Sequence, residues 1–346
     1  MRLKRLSLLC VVVLELFGLA QQASGQATKL NVITTGISPT SLPSYVAKES
    51  GIFAKNGLDV QVVRATSSVA VMALISGELG IIEVAGPGII RSSLRGADLV
   101  LVAAGVVTLN YWLMSAKQIK TAEQLKGGII GSSDLSGSSF IAIQFAVRKL
   151  GLNPDKDVAI IRGGGTPERL VGLQTGRLQA TVLNPPTSFL AQKEGFNLLT
   201  DVTGMPFQHN GVATSKRFIR EHPNVVRSYV KSQIEAVHLM KTDRQRGIAI
   251  LMRTLKAKPE ERELVEKSYN ATMGEEVYPQ KQYPSLAGIQ LILDAMIKEE
   301  PKAKDAKPEN FVDTRFVQEL DDSDFIANLY KGKRVNGYNG AVRRIL

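Results

Sequence analysis

Apolar and polar positions follow two different periods along this chain, and segments of the two kinds alternate as far as residue 214. Residues 58–64 alternate with a period of two, as a half-buried strand does, whereas residues 99–105 form a continuous apolar run. Continuous runs are typical of strands that helices cover on both faces. The pattern predicts strands at 29–34, 58–64, 80–84, 99–105, 111–114, 128–131, 158–162, 180–183, 197–202 and 211–214.

Helical periodicity fills the intervals between the predicted strands and dominates after residue 214. Apolar residues three and four positions apart predict a helix over 138–150, which ends at Gly151. Pro223 and Pro259 are each expected to open a later helix, since the first helical turn tolerates proline. A further helix is predicted from the apolar stripe Leu286, Ile289, Leu293 and Met296. Strands that alternate with helices across short loops are typical of a parallel α/β fold.

Both ends of the chain depart from this pattern. Residues 1–25 combine a basic start, an apolar run and small residues before Gln26, which predicts a signal peptide cleaved near Gly25 and a periplasmic protein. A retained membrane anchor is the alternative, although the apolar run is short for a bilayer span. The charged segment 299–310 is predicted to be a surface linker, and the basic segment 331–346 a mobile tail.

Charge and cysteine usage exclude several classes of protein. The formal net charge is +11, but the basic residues are scattered rather than clustered on one face, so we expect no nucleic-acid partner. The single cysteine, Cys10, lies in the predicted signal peptide, which leaves no thiol for disulfides, catalysis or metal binding after it. A solvated surface position is predicted for Arg64, Arg91, Arg95, Arg148, Arg162, Arg169 and Arg177.

Length and an internal similarity both indicate two lobes. A chain of 346 residues is too long for one ordinary hydrophobic core. Residues 72–81 and 170–180 share one plan, in which an apolar helix ends at a glycine and leads at once into a buried strand. We interpret the two segments as equivalent positions in two lobes of similar construction.

Candidate ligand-binding residues lie in the loops that follow the predicted strands, where a doubly wound sheet binds its ligands. Small hydroxyl residues and glycine at a helix start leave backbone N–H groups for an anion or a polar head group. The candidates are Thr35, Ser38, Ser41, Ser67, Ser68, Ala85, Gly86, Ser133, Ser136, Gly137, Ser138, Asn184 and Pro185. Helix capping is the alternative role, and it is favoured for Ser67 and Ser68. The run 132–139 has more polar positions than one cap uses, which favours a ligand there.

Other residues give weaker signals. Tyr111 and Trp112 are expected where the chain passes between the lobes, either to stack on a flat ligand or to support a hinge. The histidines have no second ligand at metal-binding spacing. The glycines at 163–165 lack the spacing of a dinucleotide-binding loop. We therefore expect neither a metal nor a cofactor.

Four stretches of the sequence together resemble one known family. They are residues 42–60, the Ile-Ser-Gly-Glu turn at 75–78, the Leu-Lys-Gly-Gly-Ile segment at 125–129, and residues 170–180 with the Asn-Pro-Pro that follows at 184–186. Their order and spacing are similar to those of ABC-importer solute-binding proteins for nitrate, sulfonates, taurine and thiamine-type pyrimidines. Gly80 and Gln179 depart from that family, whose members usually carry aspartate at these positions.

The resemblance implies an α/β protein with the type II periplasmic binding protein fold, in which two α/β lobes are joined by two hinge strands with a ligand cleft between them. Lobe 1 would comprise residues 28–112 and 213–346, and lobe 2 would comprise residues 113–212. The hinge strands would be those at 111–114 and 211–214.

A protein of that family captures a small polar or anionic solute, of the sulfonate, nitrate, taurine or pyrimidine class, and delivers it to an ABC permease in the inner membrane. We accordingly expect a monomeric binding protein and not an enzyme. One alternative is a pyrimidine-related enzyme on the same fold, for which Glu83, Asp134 and His209 are the candidate catalytic residues. The other alternative is a ligand-sensing binding module.

Overall fold

Ten strands form two five-stranded sheets in the computed structural model, which describes residues 27–333 and residue 335. Each predicted strand is confirmed to within one residue at either end. The strands are β1 Thr28–Thr34, β2 Leu58–Arg64, β3 Ile81–Val84, β4 Leu99–Ala104, β5 Trp112–Ser115, β6 Ile129–Ser132, β7 Ala159–Arg162, β8 Ala180–Leu183, β9 Asn197–Asp201 and β10 Gly211–Ser215. The predicted signal peptide and most of the predicted tail lie outside the described residues.

Each sheet combines parallel strands with a strand of opposite direction. The first sheet has the order β2-β1-β3-β10-β4, and β10 is antiparallel to both of its neighbours. The second has the order β7-β6-β8-β5-β9, and β5 is antiparallel to both of its neighbours. In both sheets the reversed strand is the one that the chain enters on arriving from the other sheet. The two sheets are the centres of two α/β lobes, which confirms the predicted fold class.

Helices connect the strands and make up most of the chain after β10. They are α1 Pro43–Glu49, α2 Ile52–Lys55, α3 Ser67–Ser76, α4 Gly86–Leu94, α5 Ala122–Leu125, α6 Ser138–Lys149, α7 Thr166–Gln174, α8 Thr187–Lys193, α9 Lys216–Glu221, α10 Pro223–Thr242, α11 Arg244–Leu255, α12 Arg262–Thr272, α13 Leu286–Met296, α14 Arg315–Asp322 and α15 Phe325–Tyr330. Pro223 opens α10 as predicted, and Pro259 opens a short 3-10 helix that leads into α12. No helix in the described ranges is long and apolar enough to cross a membrane.

The chain passes between the two sheets twice, at residues 105–111 and 202–210. These two crossing segments run antiparallel and are bonded to each other through their backbones. The N–H of Leu109 donates to the carbonyl of Met205 at 2.9 Å, and an isolated bridge pairs Thr108 with Pro206. The connection between the lobes is therefore a short two-stranded ribbon.

The prediction that residues 111–114 and 211–214 are the hinge strands is wrong. They correspond to β5 and β10, which are paired with neighbours on both sides inside one sheet each. Continuous apolar runs mark strands that are buried in a sheet, whereas the crossing segments beside them have only a local ribbon to pair with. The lobe boundaries drawn from the sequence stay a prediction.

Helix α13 holds the second crossing segment in place. A Cβ atom at Gly288 would overlap the backbone of Phe207, so the absence of a side chain permits this close approach. The side chain of Gln208 completes the contact, since its Oε1 accepts from the N–H of Ser285 at 2.9 Å and its Nε2 donates to the carbonyl of Asn210 at 2.9 Å. The hinge is thus fixed from one side by a helix that follows β10 in the chain.

The segment 299–310 is more ordered than the predicted surface linker. It contains the 3-10 helix Pro301–Lys304 and the start of a second at Pro308–Phe311, and it buries Ala303. Glu300 accepts hydrogen bonds from two arginines of the first lobe, Arg91 and Arg95. Proline and lysine suggested a solvated linker, but a few apolar residues and one carboxylate are enough to fasten the segment to the lobe.

Candidate functional site

The loops at the carboxyl ends of the strands converge on the crossing segments. In the first lobe, the carbonyl of Thr40 accepts from Asn210 Nδ2 at 2.9 Å, and the N–H of Gly86 donates to the carbonyl of Gln208 at 2.8 Å. In the second lobe, the hydroxyl of Tyr111 lies 3.3 Å from Ser138 Oγ. Loops of both lobes therefore meet at one floor, which is built from residues 105–111 and 202–210.

The floor is aromatic and largely closed to solvent. The rings of Tyr111 and His209 meet edge to face with their centroids 5.3 Å apart, and both side chains are buried. Burial lowers the pKa of His209 to about 4, so its imidazole is neutral near pH 7. Trp112 lies beside this floor, where its ring packs edge-on against Phe189 at 5.0 Å. These contacts agree with a hinge-supporting role for Tyr111, whereas Trp112 packs within the second lobe.

The candidates that follow β1 bond mainly to one another. Ser41 Oγ donates to the carbonyl of Gly36 at 2.8 Å, and Ser38 Oγ lies 2.8 Å from Thr40 Oγ1. Thr35 is exposed at the end of the strand. The hydroxyl groups thus stabilise the conformation of this loop, and the carbonyl of Thr40 is bonded to Asn210 in the second crossing segment.

The candidates at the starts of α3 and α4 differ in position. Thr66 caps α3 by accepting from the N–H of Val69 at 3.4 Å, so Ser67 and Ser68 occupy the first turn without being the cap residue. Ala85 is half-buried and precedes α4, and the N–H of Gly86 is already bonded to the second crossing segment. Gly86 therefore joins the first lobe to the hinge.

The run 132–139 forms a self-contained hydrogen-bonded turn. Asp134 Oδ1 accepts from the N–H groups of Ser136 and Gly137. Ser139 Oγ is shared with the backbone N–H and the hydroxyl of Ser133, at 3.0 and 2.6 Å. The N–H groups of Ser136 and Gly137 are consequently not free for an anion. This differs from the expectation that the backbone N–H groups of this loop bind the ligand. The first N–H groups of α6, from Ser138 onward, have no carbonyl partner within the helix.

The last two candidates border the start of α7. Thr166 Oγ1 donates to Asn184 Oδ1 at 3.3 Å, and Pro185 follows in a buried position. The glycines at 163–165 lead from β7 into α7. The loops after β7 and β8 are thereby tied together at the second lobe's carboxyl edge.

Arg169, in α7, contradicts the prediction of a solvated surface arginine. Its side chain is only 1% exposed, and its guanidinium donates to the carbonyl of Gly164 at 2.8 Å and to that of Val182 at 3.1 Å. Its Nε has no acceptor among the described residues. Burial lowers its pKa, while the nearby Tyr111 and the carboxylates of Glu168 and Asp134 act in the opposite direction. Within the described ranges, the second lobe therefore buries a positive charge that no carboxylate contacts directly.

Glu83, near the end of β3, is the corresponding buried charge of the first lobe. It is 3% exposed, and its Oε1 accepts from Ser44 Oγ at 2.6 Å, Tyr229 Oη at 2.9 Å and Gln233 Nε2 at 2.5 Å. Its Oε2 has no hydrogen-bond donor in the described part of the chain. Burial raises the pKa of Glu83 to about 7, against the opposing effect of the hydroxyl groups that bond to it.

The three candidate catalytic residues do not form one constellation. Glu83 bonds within the first lobe, Asp134 closes a turn in the second, and His209 lies in the hinge. No recorded hydrogen bond or ion pair between described residues joins any two of them. The same part of the chain contains no group of three or more His, Cys, Asp or Glu side chains that could hold a metal ion.

Sequence reasoning missed the importance of Arg169 and Asn210. Arginine is mostly exposed in proteins, so the base rate pointed to the surface. One signal was available: counted back from the glycine that ends each equivalent helix, Arg169 occupies the position of Ala70, which is fully buried. That register places Arg169 on the inner face of its helix.

The sequence pattern of the NMT1/THI5-like family matches residues 38–245, which is more than half of the chain. The chain belongs to this family. The resemblance drawn from the four sequence stretches is thereby confirmed at the level of the family. A comparison with the curated proteins gave no match.

Solved structures share the fold at low sequence identity. A protein of Bordetella bronchiseptica RB50 has 19% identity and a TM-score of 0.71, over 86% of this chain and 98% of that one. The periplasmic aliphatic sulphonate-binding protein SsuA of Escherichia coli has 17% identity and a TM-score of 0.64, over 84% and 93%. The desulfurization enzyme DszB has 13% identity and a TM-score of 0.62, over 86% and 99%. The NMT1/THI5-like fold therefore serves both binding proteins and at least one enzyme.

Proposed function

We propose that this NMT1/THI5-like protein is an extracytoplasmic solute-binding protein that captures a small polar or anionic solute for an ABC importer. The observation that carries the proposal is the buried guanidinium of Arg169, which lies at the second lobe's loop edge and contacts no carboxylate of the described residues directly. A buried cation without a counter-ion is costly, and an anion bound in the cleft offsets that cost. The first turn of α6 adds N–H groups from Ser138 onward, while the carboxylate of Asp134 at the same helix start opposes part of the attraction of the helix dipole for an anion.

The sulfonate, nitrate, taurine and pyrimidine classes are the proposed solutes. Family membership supports this range, and the sulphonate-binding protein of Escherichia coli shares the fold. The thirteen loop residues predicted from the sequence remain the proposed lining, with Ser138 and Asn184 on the second-lobe wall and Ser38 and Ser41 shaping the first. Arg169 acts through its charge and through the carbonyls that it holds.

Capture would proceed by closure about the two crossing segments. A solute that contacts both lobes stabilises the closed arrangement, because only there do both sets of contacts exist together. We propose that the protein works as a monomer in the periplasm after cleavage near Gly25, and that it docks on an inner-membrane ABC permease. A binding role is preferred to catalysis because Glu83, Asp134 and His209 lie in separate hydrogen-bonding groups.

Thermal-shift measurements with ethanesulfonate, taurine, nitrate, a thiamine-type pyrimidine and acetate test the proposal. A true solute at 100 times its Kd stabilises the folded protein by about 2.7 kcal/mol, which appears as a clear rise in Tm. Calorimetry should then show that Ser138→Ala weakens the best solute about fivefold, since one hydroxyl contributes roughly 1 kcal/mol.

The matched control is Ser76→Ala, which removes an exposed hydroxyl at the far end of α3 and should leave the affinity unchanged. Failure of every solute in the panel to raise the Tm would contradict the proposed function. Chemical turnover of a bound solute would instead support the enzyme alternative.

A further inference from the structure

Tyr111 lies where the hinge meets the second-lobe wall of the proposed cleft. It is the last residue of the first crossing segment, and its carbonyl accepts from the N–H of Val202, in the second, at 3.0 Å. Its ring packs edge to face on His209 with the centroids 5.3 Å apart. Its hydroxyl lies 3.3 Å from Oγ of Ser138, the first residue of α6. One side chain therefore connects both crossing segments to a helix start of the second lobe.

The hydroxyl of Tyr111 has a single recorded contact within the described residues, and that contact is long. The side chain is only 8% exposed, yet its partner Ser138 Oγ is 3.3 Å away, whereas hydrogen bonds between hydroxyl groups are usually about 2.7–2.8 Å long. The buried hydroxyls of Tyr229 and Tyr269 have partners at 2.8 and 2.7 Å. Because a buried tyrosine hydroxyl usually has a close partner, the O–H of Tyr111 is available to a further acceptor.

The surroundings of this hydroxyl favour an acceptor that carries negative charge. The guanidinium of Arg169 is buried, and its Nε has no acceptor in the described part of the chain. Burial lowers the pKa of Arg169, and the neighbouring Tyr111 opposes that shift. The carboxylate of Asp134 at the same helix start is already bonded to two backbone N–H groups of its own turn. An O–H donor beside a buried cation and the free N–H groups of a helix start suits an oxygen atom of an anion.

We propose that the hydroxyl of Tyr111 donates a hydrogen bond to the captured solute and thereby couples solute binding to the position of the crossing segments. The inference rests on the proposed capture function and adds a residue that the thirteen loop candidates do not include. A solute held by the start of α6 and by Tyr111 fixes the end of the first crossing segment against the second lobe. Because the ring of Tyr111 rests on His209, the second crossing segment is held with it. The contact between solute and hydroxyl thus favours one arrangement of the lobes over the other.

Calorimetry of Tyr111→Phe tests the hydrogen bond on the whole protein. The probe is whichever of ethanesulfonate, taurine, nitrate, the thiamine-type pyrimidine and acetate raises the Tm of the wild type most. Phenylalanine keeps the ring on His209 but removes the O–H, so the affinity should fall about tenfold while the Tm of the free protein stays almost unchanged. The matched control Tyr283→Phe removes a hydroxyl that bonds to Gln318 and Asp321 in the first lobe, and it should keep the wild-type affinity.

The fluorescence of Trp112, the single tryptophan of the chain, tests the coupling to the hinge. Its ring packs on Phe189, and Lys267 of the first lobe lies over the same phenylalanine, so the emission should respond to the arrangement of the lobes. Saturating solute should change the emission of the wild type. In Tyr111→Phe at saturation the change should be about half as large or less, because the bound solute no longer holds the crossing segment.

The outcomes separate this inference from the proposed function. Equal affinities of the wild type and Tyr111→Phe overturn the hydrogen bond and leave solute capture standing. A weakened Tyr111→Phe that shows the full emission change at saturation overturns the coupling. A clear fall in the Tm of free Tyr111→Phe would assign the hydroxyl to the fold and overturn the inference as well. If none of the five solutes binds the wild type, the proposed function fails and the inference fails with it.

Discussion

The two lobes share one construction but bury opposite charges at their carboxyl edges. When the chain is aligned on the helix-ending glycines Gly77 and Gly176, Glu83 of β3 falls on Val182 of β8. In the same alignment Arg169 of α7 falls on Ala70 of α3, and both apolar counterparts are fully buried. Each lobe therefore holds a charge at a position where the other holds an apolar side chain.

The first lobe holds alanine where the second holds Arg169, and the second holds valine where the first holds Glu83. The plan that the two lobes share therefore does not itself require either charge. Burying a carboxylate or a guanidinium destabilises the fold unless it is well compensated. A cost of that kind, in a region where loops of both lobes meet, is typical of a binding site.

The largest effect on stability and on solute affinity is expected from replacing the buried Arg169. Arg169→Met keeps most of the side-chain volume but removes the guanidinium hydrogen bonds to the carbonyls of Gly164 and Val182. Each of these hydrogen bonds contributes roughly 1–3 kcal/mol, so the free energy of unfolding should fall by about 4 kcal/mol. The affinity for an anionic solute should fall at least about tenfold in the same variant.

Denaturant titration and calorimetry measure both quantities. Arg177→Met is the control, because Arg177 is exposed just beyond the same helix, and its effect should stay within about 0.5 kcal/mol. If the two variants are equally stable, the buried charge is not tied to the loops as the contacts indicate.

The buried carboxyl of Glu83 should make the free energy of unfolding depend on pH. Its pKa is raised from 4.5 to about 7 in the folded protein, so the folded state keeps a proton that the unfolded chain has released between these values. The wild type should therefore lose stability as the pH rises from about 4.5 to 7, by roughly 3 kcal/mol in all. Glu83→Gln should lack this loss.

Chemical denaturation at pH 5, 6, 7 and 8 reveals this difference. The tyrosines that face the carboxylate, Tyr45, Tyr229 and Tyr278, all have a pKa raised by burial and do not titrate in this range. If the free energy of unfolding depends on pH in the same way for the wild type and for Glu83→Gln, the pKa of Glu83 is not raised in the folded protein and the prediction is wrong.

The sequence predicted the scaffold of this comparison but not its charges. The ten strands and the register of the two glycine-ended helices follow from apolar periodicity, which burial imposes directly on the sequence. Asn210 and Gly105 lie in crossing segments that are too short to show a periodic pattern of apolar residues. Around a small cavity they lie beside residues as distant in the chain as Gln233 and Tyr278, and local pattern holds no information on such contacts.

The loop candidates illustrate the same limit. The sequence predicts a polar helix start at residues 132–139, and α6 begins at Ser138. Polarity could not reveal that Asp134 takes up the N–H groups of Ser136 and Gly137. Which donors a turn leaves free depends on backbone torsion angles, and the same residue types serve as cap, turn or ligand contact.

A smaller effect is expected at the hinge that separates the two charges. Gly288→Ala places a methyl group against the backbone of Phe207 in the second crossing segment. Overpacking of this kind typically costs 1–3 kcal/mol, so we expect a loss of about 2 kcal/mol. Because Phe207 adjoins Gln208 and its contacts, the solute affinity should change as well.

Thermal denaturation, together with calorimetry, tests this hinge contact. Ala287→Ser is the control, since residue 287 is exposed on the same helix and its substitution should cost about 0.5 kcal/mol or less. A Gly288→Ala variant as stable as the control would mean that α13 can move away from the crossing segment at little cost.

The smallest effect is expected where the lobes touch directly. Lys267 of α12 places its Nζ 4.4 Å from the ring centroid of Phe189 in α8, which joins a helix after β10 to one that follows β8. An exposed cation–π contact contributes about 0.5–1 kcal/mol, and this one exists only while the two helices face each other. Lys267→Ala should therefore leave the free energy of unfolding almost unchanged and weaken solute affinity about two- to fivefold, because the closed arrangement loses that stabilisation. Lys267→Arg preserves the contact and should bind like the wild type. Calorimetry of the three proteins with one solute decides the matter: equal affinities would show that closure draws its free energy from the solute alone.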